Sequence, residues 1–189
     1  MPTRAHAIVI GVSSGGVEAL GQLLPALPPT LRAAVMVVLH LPPDRPSLLS
    51  AIFAGACALP VKEAEDKEDV QPGHVYFAPP DYHLLVDRGP RLVLSFDPPV
   101  QFSRPAIDPL FQTAADVYGK RLWGIVLTGN SEDGADGLAA VHRAGGRCFV
   151  QDPRTAASPL MPGAALARVP GATSLPLLEL ARRLSAWPD

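Results

Sequence analysis

Three side chains far apart along the chain are of the types needed for acyl transfer: Ser13, His40 and Asp133. A serine hydroxyl attacks a carbonyl once a base removes its proton. An imidazole fills that role when a carboxylate fixes its tautomer and stabilises the cation that forms. Ser13 lies in the turn Gly11-Val-Ser-Ser-Gly-Gly, where glycines permit a tight bend and free N–H groups at a helix start suit a developing oxyanion. Taken alone, this turn suits a phosphate cradle as well as a nucleophile. It does not follow GxGxxG, however, and neither a Walker lysine nor an acid at the ribose position accompanies it. His40 closes an apolar run and, by itself, is more simply a core histidine with a satisfied hydrogen bond. Asp133, by itself, is more simply the N-cap of a following helix, with Glu132 and Asp136 as rivals for an acid role.

The elements around these residues change that balance. Residues 7–12 read as a buried strand that runs through the serine turn into Val17, Leu20, Leu23, Leu24 and Leu27 at helical spacing. Residues 33–39 form a second such strand, ended by His40 and a Leu-Pro-Pro turn, with Ser47 placed to cap a helix through Phe53. Residues 123–128 form a third, leading through 129–134 into a helix that stops at Gly145-Gly146. Near-continuous apolar strands alternating with helices indicate the α/β class: a doubly wound, mostly parallel sheet with helices on both faces. Ligands of such sheets bind at the carboxyl ends of the strands. All three residues fall on that rim, and the joint reading favours a Ser-His-Asp triad. Their chain order and the lack of a GxSxG elbow set the chain apart from a conventional α/β-hydrolase.

Between 61 and 96 the runs shorten to 74–78, 83–86 and 91–95, separated by Pro-Pro-Asp and Asp-Arg-Gly-Pro turns, which predicts an antiparallel hairpin or meander appended to the parallel core. Residues 148–151 supply a further strand, and 175–187 a closing amphipathic helix.

With 189 residues and 48% hydrophobic content, the chain is expected to form one domain over 1–189 around a single sizeable core. A net charge of -2 gives no basic footprint, so nucleic acid is not an expected partner. Cys57 and Cys148 show no CxxC spacing and read as buried, reduced thiols. His6, His74, His83 and His142 lack metal-ligand spacing and read as surface or turn residues. No metal and no cofactor is expected. The mixed-sign run Glu63, Glu65, Asp66, Lys67, Glu68, Asp69 reads as a solvated loop. Arg104 is a candidate contact for an acidic substrate, a surface ion pair with Asp108 being the simpler account. There is no signal-peptide pattern near the start, and the run 33–39 is too short to span a bilayer. A soluble, cytoplasmic protein without membrane insertion is the expectation.

Several ordered motifs then point one way: Ile10-Gly-Val-Ser-Ser-Gly-Gly-Val-Glu-Ala, Val38-Leu-His-Leu-Pro-Pro, Val61-Lys-Glu-Ala-Glu-Asp, Gln71-Pro-Gly-His-Val-Tyr-Phe-Ala-Pro, Arg104-Pro-Ala-Ile-Asp, Leu127-Thr-Gly-Asn-Ser-Glu-Asp-Gly-Ala and Met161-Pro. Over nearly its whole length the chain resembles the catalytic domain of the chemotaxis protein-glutamate methylesterases, the CheB family. The resemblance implies a nucleophile at Ser13, with Ser14 at the following hydroxyl position, a base at His40 and an acid at Asp133 rather than Glu132 or Asp136. It implies oxyanion donors near Ser14 and Asn130. It also implies hydrolysis of glutamyl methyl esters on the cytoplasmic region of a methylated chemoreceptor, with deamidation of receptor glutamines as a companion activity. Two departures stand out. The family's usual receiver domain does not precede the first strand here, so control by a separate regulatory protein, or none, is expected. The family's Met-Gly after Leu-Thr-Gly is Asn130-Ser131, a change that a backbone donor would survive. A non-catalytic signalling module on the same fold is the alternative.

Overall fold

The computed structural model describes residues 6–187. The strands β1 (His6–Val12), β2 (Ala33–Leu39), β3 (Val61–Glu63), β4 (Val75–Phe77), β7 (Leu122–Val126), β8 (Arg147–Gln151) and β9 (Thr173–Leu175) form a sheet of order β3-β4-β2-β1-β7-β8-β9. Every pairing in it is parallel. Two further strands, β5 (His83–Asp87) and β6 (Arg91–Ser95), pair antiparallel as a separate hairpin. The doubly wound α/β expectation with an appended hairpin is thus met.

The near-continuous apolar character of the strands follows from burial on both faces. Along β1 the side chains alternate: Ala7 and Val9 join one core layer, while Ile8, Ile10 and Val12 join the other. The first layer is filled by α3 (Ile107–Tyr118), α4 (Ala135–Arg143), α5 (Leu160–Arg168) and the inner side of the hairpin. The second is filled by α1 (Gly16–Leu23), α2 (Leu49–Ala54) and α6 (Leu177–Ser185). Each face therefore draws on the period-2 geometry of the strands and the 3.6-residue period of the helices. No helix among the described residues is long and apolar enough to cross a membrane.

Four expectations are corrected. The run 74–78 does not belong to the antiparallel part: Val75, Tyr76 and Phe77 are buried on both faces and form an inner parallel strand between β2 and β3. The closing helix is shorter than 175–187, because Leu175 completes β9 and Pro176 separates that strand from α6. Cys57 is half-buried, although both cysteines are free as expected. His83 is buried rather than a surface or turn residue. The mixed-sign run 63–69 is mostly exposed, as expected of a solvated loop, and is also laced to its surroundings: Lys62 pairs with Glu65 and Glu68, Asp69 with Arg91, and Asp66 accepts the Leu94 N–H.

β1 occupies the centre of the sheet, between β2 and β7, with Val12 opposite Leu39 and Gly11 opposite Val126. Connections leave it in opposite directions, which opens a crevice at the carboxyl ends of these three strands. The loops that end them carry Ser13, His40 and Asp133.

Candidate active site

Ser13 follows the last residue of β1, and its N–H donates to the Thr128 carbonyl at 3.0 Å, tying the serine turn to the end of β7. Thr128, almost fully buried, fastens three loops. Its hydroxyl donates to the Ser14 carbonyl at 2.9 Å and accepts the Ser158 N–H at 2.9 Å, while its own N–H donates to Gln151 Oε1 at 2.9 Å. Gly129 supplies the close approach that follows. A Cβ at this position would lie 2.9 Å from Ser13 Cβ and 2.5 Å from Met161 Cε, so only glycine lets this loop pass beside the serine. Gly129→Ala is expected to destabilise the fold by about 1–3 kcal/mol through overpacking. Because the intruding methyl points at Ser13, reactivity of the serine toward a phosphonate should fall at least about tenfold even in the folded fraction. Equal labelling of variant and parent would contradict that account.

His40 begins the loop after β2 and is partly exposed. Its Nδ1 lies 3.1 Å from Ser13 Oγ and its Nε2 lies 2.7 Å from Asp133 Oδ2. The neutral ring that fits both contacts carries its proton on Nε2, donated to the carboxylate, and leaves Nδ1 bare to accept from the serine. Asp133 is fully buried. Its carboxylate does not cap the helix that follows it, as the simpler reading of the isolated residue had it. Oδ2 instead accepts the Ile107 N–H at 2.6 Å and Oδ1 the Asp108 N–H at 2.9 Å, both in the first turn of α3. A helix N-terminus offers unpaired N–H groups and a favourable dipole, so a carboxylate seated there is held in one orientation. The rivals Glu132 and Asp136 are exposed, and Asp136 pairs with Arg168 instead.

Ser14 and Asn130 face solvent at the rim, one in each loop beside Ser13. Among the described residues neither backbone N–H has a hydrogen-bond acceptor. Arg104 does not pair with Asp108. Its Nη2 and Nε donate to Asp81 Oδ1 at 2.6 and 3.0 Å, its Nη1 donates to the Phe96 and Asp97 carbonyls, and its guanidinium lies 3.8 Å over the Phe96 ring. Asp108 cannot be a surface partner because it is buried on α3.

Two supporting residues escaped the reading from sequence. His83 accepts the Ala106 N–H on Nδ1 at 3.2 Å, and its Nε2 donates to the Pro98 carbonyl at 3.1 Å, so it anchors the segment that leads into the α3 start beneath Asp133. Asp108 lies one residue beyond Ile107 and meets the loop of Asp133 through its side chain as well as its N–H. Neither has a sequence signal of its own, since the contacts join segments 15 to 29 residues apart.

The serine, imidazole and carboxylate thus form one hydrogen-bonded line, ending on a helix N-terminus and bordered by two unengaged N–H groups. Residues 8–184 match the sequence profile described as CheB methylesterase. A Leptospira interrogans protein is 44% identical over 161 residues, covering 85% of this chain and 83% of its own length. The protein-glutamate methylesterase/protein-glutamine glutaminase 3 of Burkholderia lata is 42% identical over 182 residues, covering 95% of this chain but 50% of its own, so the chain spans about half the length of that relative. The crystal structure of the Thermotoga maritima CheB methylesterase catalytic domain superposes with a TM-score of 0.92 at 32% identity, covering 97% of this chain and 98% of that one. The chain belongs to the CheB methylesterase family.

Proposed function

We propose that the protein hydrolyses γ-methyl esters of glutamate side chains on the cytoplasmic region of a methylated chemoreceptor or receptor-like signalling protein, releasing methanol, and that it deamidates receptor glutamines by the same route. The observation that carries this reading is the line Ser13 Oγ, His40, Asp133, with contacts of 3.1 and 2.7 Å. Ser13 attacks the ester carbonyl while His40 Nδ1 takes the hydroxyl proton. Asp133 holds the ring by Nε2–H and stabilises the imidazolium. The tetrahedral oxyanion is met by the N–H groups of Ser14 and Asn130, and collapse expels methanol, which takes the proton back from His40. Water, activated by the same base, then releases glutamate from the acyl-serine. For a glutamine the leaving group is ammonia and the remaining steps are unchanged.

Backbone donors carry the oxyanion role in this scheme, so Asn130-Ser131 in place of the family's Met-Gly leaves it intact. Ser13 and His40 are partly exposed on an open rim, with exposed Ser14 and Asn130 beside them, giving the access that a side chain presented by a large helical substrate requires. Arg104 shapes the loop through Asp81 and Phe96, and its direct contact with an acidic receptor surface is part of the proposal. The reading places the protein in the cytoplasm with the receptor's signalling region.

The test is methanol release from a methylated receptor cytoplasmic fragment. Release that stops when a serine-reactive phosphonate has labelled the chain is the expected result. A chain that labels but releases no methanol would discard the substrate assignment, and one that does neither would favour a binding module.

A further inference from the structure

The two helices beside the triad acid both begin without a side-chain cap of their own, with Ala106 at the N-cap of α3 and Gly134 at that of α4. They exchange carboxylates instead. Asp133, just before α4, accepts the N–H groups of Ile107 and Asp108 in the first turn of α3. Asp108, on α3, accepts with Oδ1 the N–H groups of Gly134 at 2.9 Å and Gly137 at 2.6 Å, in the first turn of α4. Four otherwise orphaned donors are satisfied by two buried acids. Asp108 therefore touches Asp133 twice over, through its own N–H and through the peptide of Gly134 that follows Asp133 in the chain.

We propose that Asp108 is a positioning residue, whose Oδ1 anchors Gly134 and Gly137 and thereby fixes Asp133 in the orientation that holds His40. The inference rests on the reading of Ser13, His40 and Asp133 as acyl-transfer machinery.

A helix cap needs no such burial, and here burial works against the fold. Burial first, and then the Asp133 charge, push the Asp108 carboxyl from the ordinary 3.8 up to about 6. The charged and titratable groups facing it are Asp133 from the preceding loop, Asp136 on α4, and His40 beyond Asp133. Because the folded-state value is raised, the unfolded chain ionises first as pH climbs from the ordinary value. Folded-state stability therefore declines over the window from 3.8 to about 6 and stays lowered above it. A carboxylate retained at that expense beside a triad acid fits a functional constraint rather than a stabilising one.

Asp108→Asn removes the charge and keeps an acceptor oxygen, whereas Asp108→Ala removes both. The full chain and both variants are compared for phosphonate labelling of Ser13, and for kcat and KM on a small activated ester, at a temperature where each is folded. Asp108→Ala is expected to lower labelling and kcat at least about tenfold with KM within about twofold, and Asp108→Asn to restore both to within about threefold. The melting temperature of Asp108→Asn should exceed that of the parent at pH 8, the gap closing as pH falls to about 4.

A folded Asp108→Ala chain that labels at the parental rate, or an Asp108→Asn chain as impaired as Asp108→Ala, would overturn the proposal. If Asp108→Ala does not fold, Gly137→Ala serves. Its Cβ would stand 3.0 Å from Asp108 Oδ1 and 2.7 Å from Phe111 Cβ, displacing the anchor without altering the acid. The same tenfold loss is expected, and parental labelling would overturn the proposal. A parent chain that fails to label removes the acyl-transfer reading and this inference with it, while a labelled parent with unaffected variants removes this inference alone.

Discussion

Ser13→Ala is expected to lower methanol release from a methylated receptor fragment by roughly four to six orders of magnitude. The size follows from the line of contacts. His40 Nδ1 has the serine hydroxyl as its partner at 3.1 Å, and without it the base has no proton to take and the carbonyl no nucleophile. What remains is the slow attack of water in a site that still offers the Ser14 and Asn130 N–H groups. Stability should change little, by about 1 kcal/mol or less, because the lost hydroxyl makes a single part-buried hydrogen bond. The pairing of a large catalytic loss with an unchanged melting temperature is the signature sought. Retained turnover in the variant would transfer the nucleophile's role elsewhere, with Ser14 the first alternative to examine.

The legibility of this site in the sequence was uneven, for physical reasons that differ residue by residue. Ser13 and His40 were visible because each directly ends a strand of seven residues that is buried almost end to end, and a polar side chain at the carboxyl end of such a strand has one place to go. Asp133 sits seven residues beyond the end of β7, among competing acids, and spacing left its role open. What distinguishes it is burial against the first turn of α3, a contact across 25 and 26 residues that no local pattern encodes.

α3 itself was not anticipated, although Leu110, Phe111, Ala114, Ala115 and Tyr118 recur at helical spacing and are buried on one face. The segment before it, rich in proline and loop residues, drew attention to Arg104 instead, and the ion pair assigned to Asp108 followed from proximity in sequence. In the fold Arg104 turns back to Asp81, across 23 residues, while Asp108 turns inward to α4. The pairing of β4, within the run 74–78, is hidden in the sequence for a similar reason. A buried run of three residues has too short a period to reveal whether its neighbours run parallel or antiparallel, and its place between β2 and β3 is decided by the sheet as a whole.

Asp133→Asn should be the most damaging of the isosteric changes, and unlike Ser13→Ala it should reduce both activity and stability. The parent carboxylate accepts from three donors: His40 Nε2–H and the Ile107 N–H on Oδ2, and the Asp108 N–H on Oδ1. An asparagine has one acceptor oxygen and one donor group at the same two positions. If its oxygen faces His40 and Ile107, its amide N–H₂ confronts the Asp108 N–H. If the amide is turned the other way, His40 must present a bare Nε2 to it and carry its proton on Nδ1, where it can no longer accept from Ser13. Either choice leaves a buried donor unpaired, which destabilises by about 1–3 kcal/mol, and the second also disables the base. Part of the stability loss is returned because removing the Asp133 charge relieves its repulsion of Asp108. The expected outcome is a loss of kcat of roughly four orders of magnitude, the scale seen when a triad aspartate becomes asparagine, with a lowering of the melting temperature by a few degrees. Glu132→Gln, at the exposed neighbour, is the control and should leave both quantities near parental values. Equal behaviour of the two variants would mean that the acid of this site has been assigned to the wrong residue, whereas a drop in activity confined to Asp133→Asn ties catalysis to the carboxylate seated on α3.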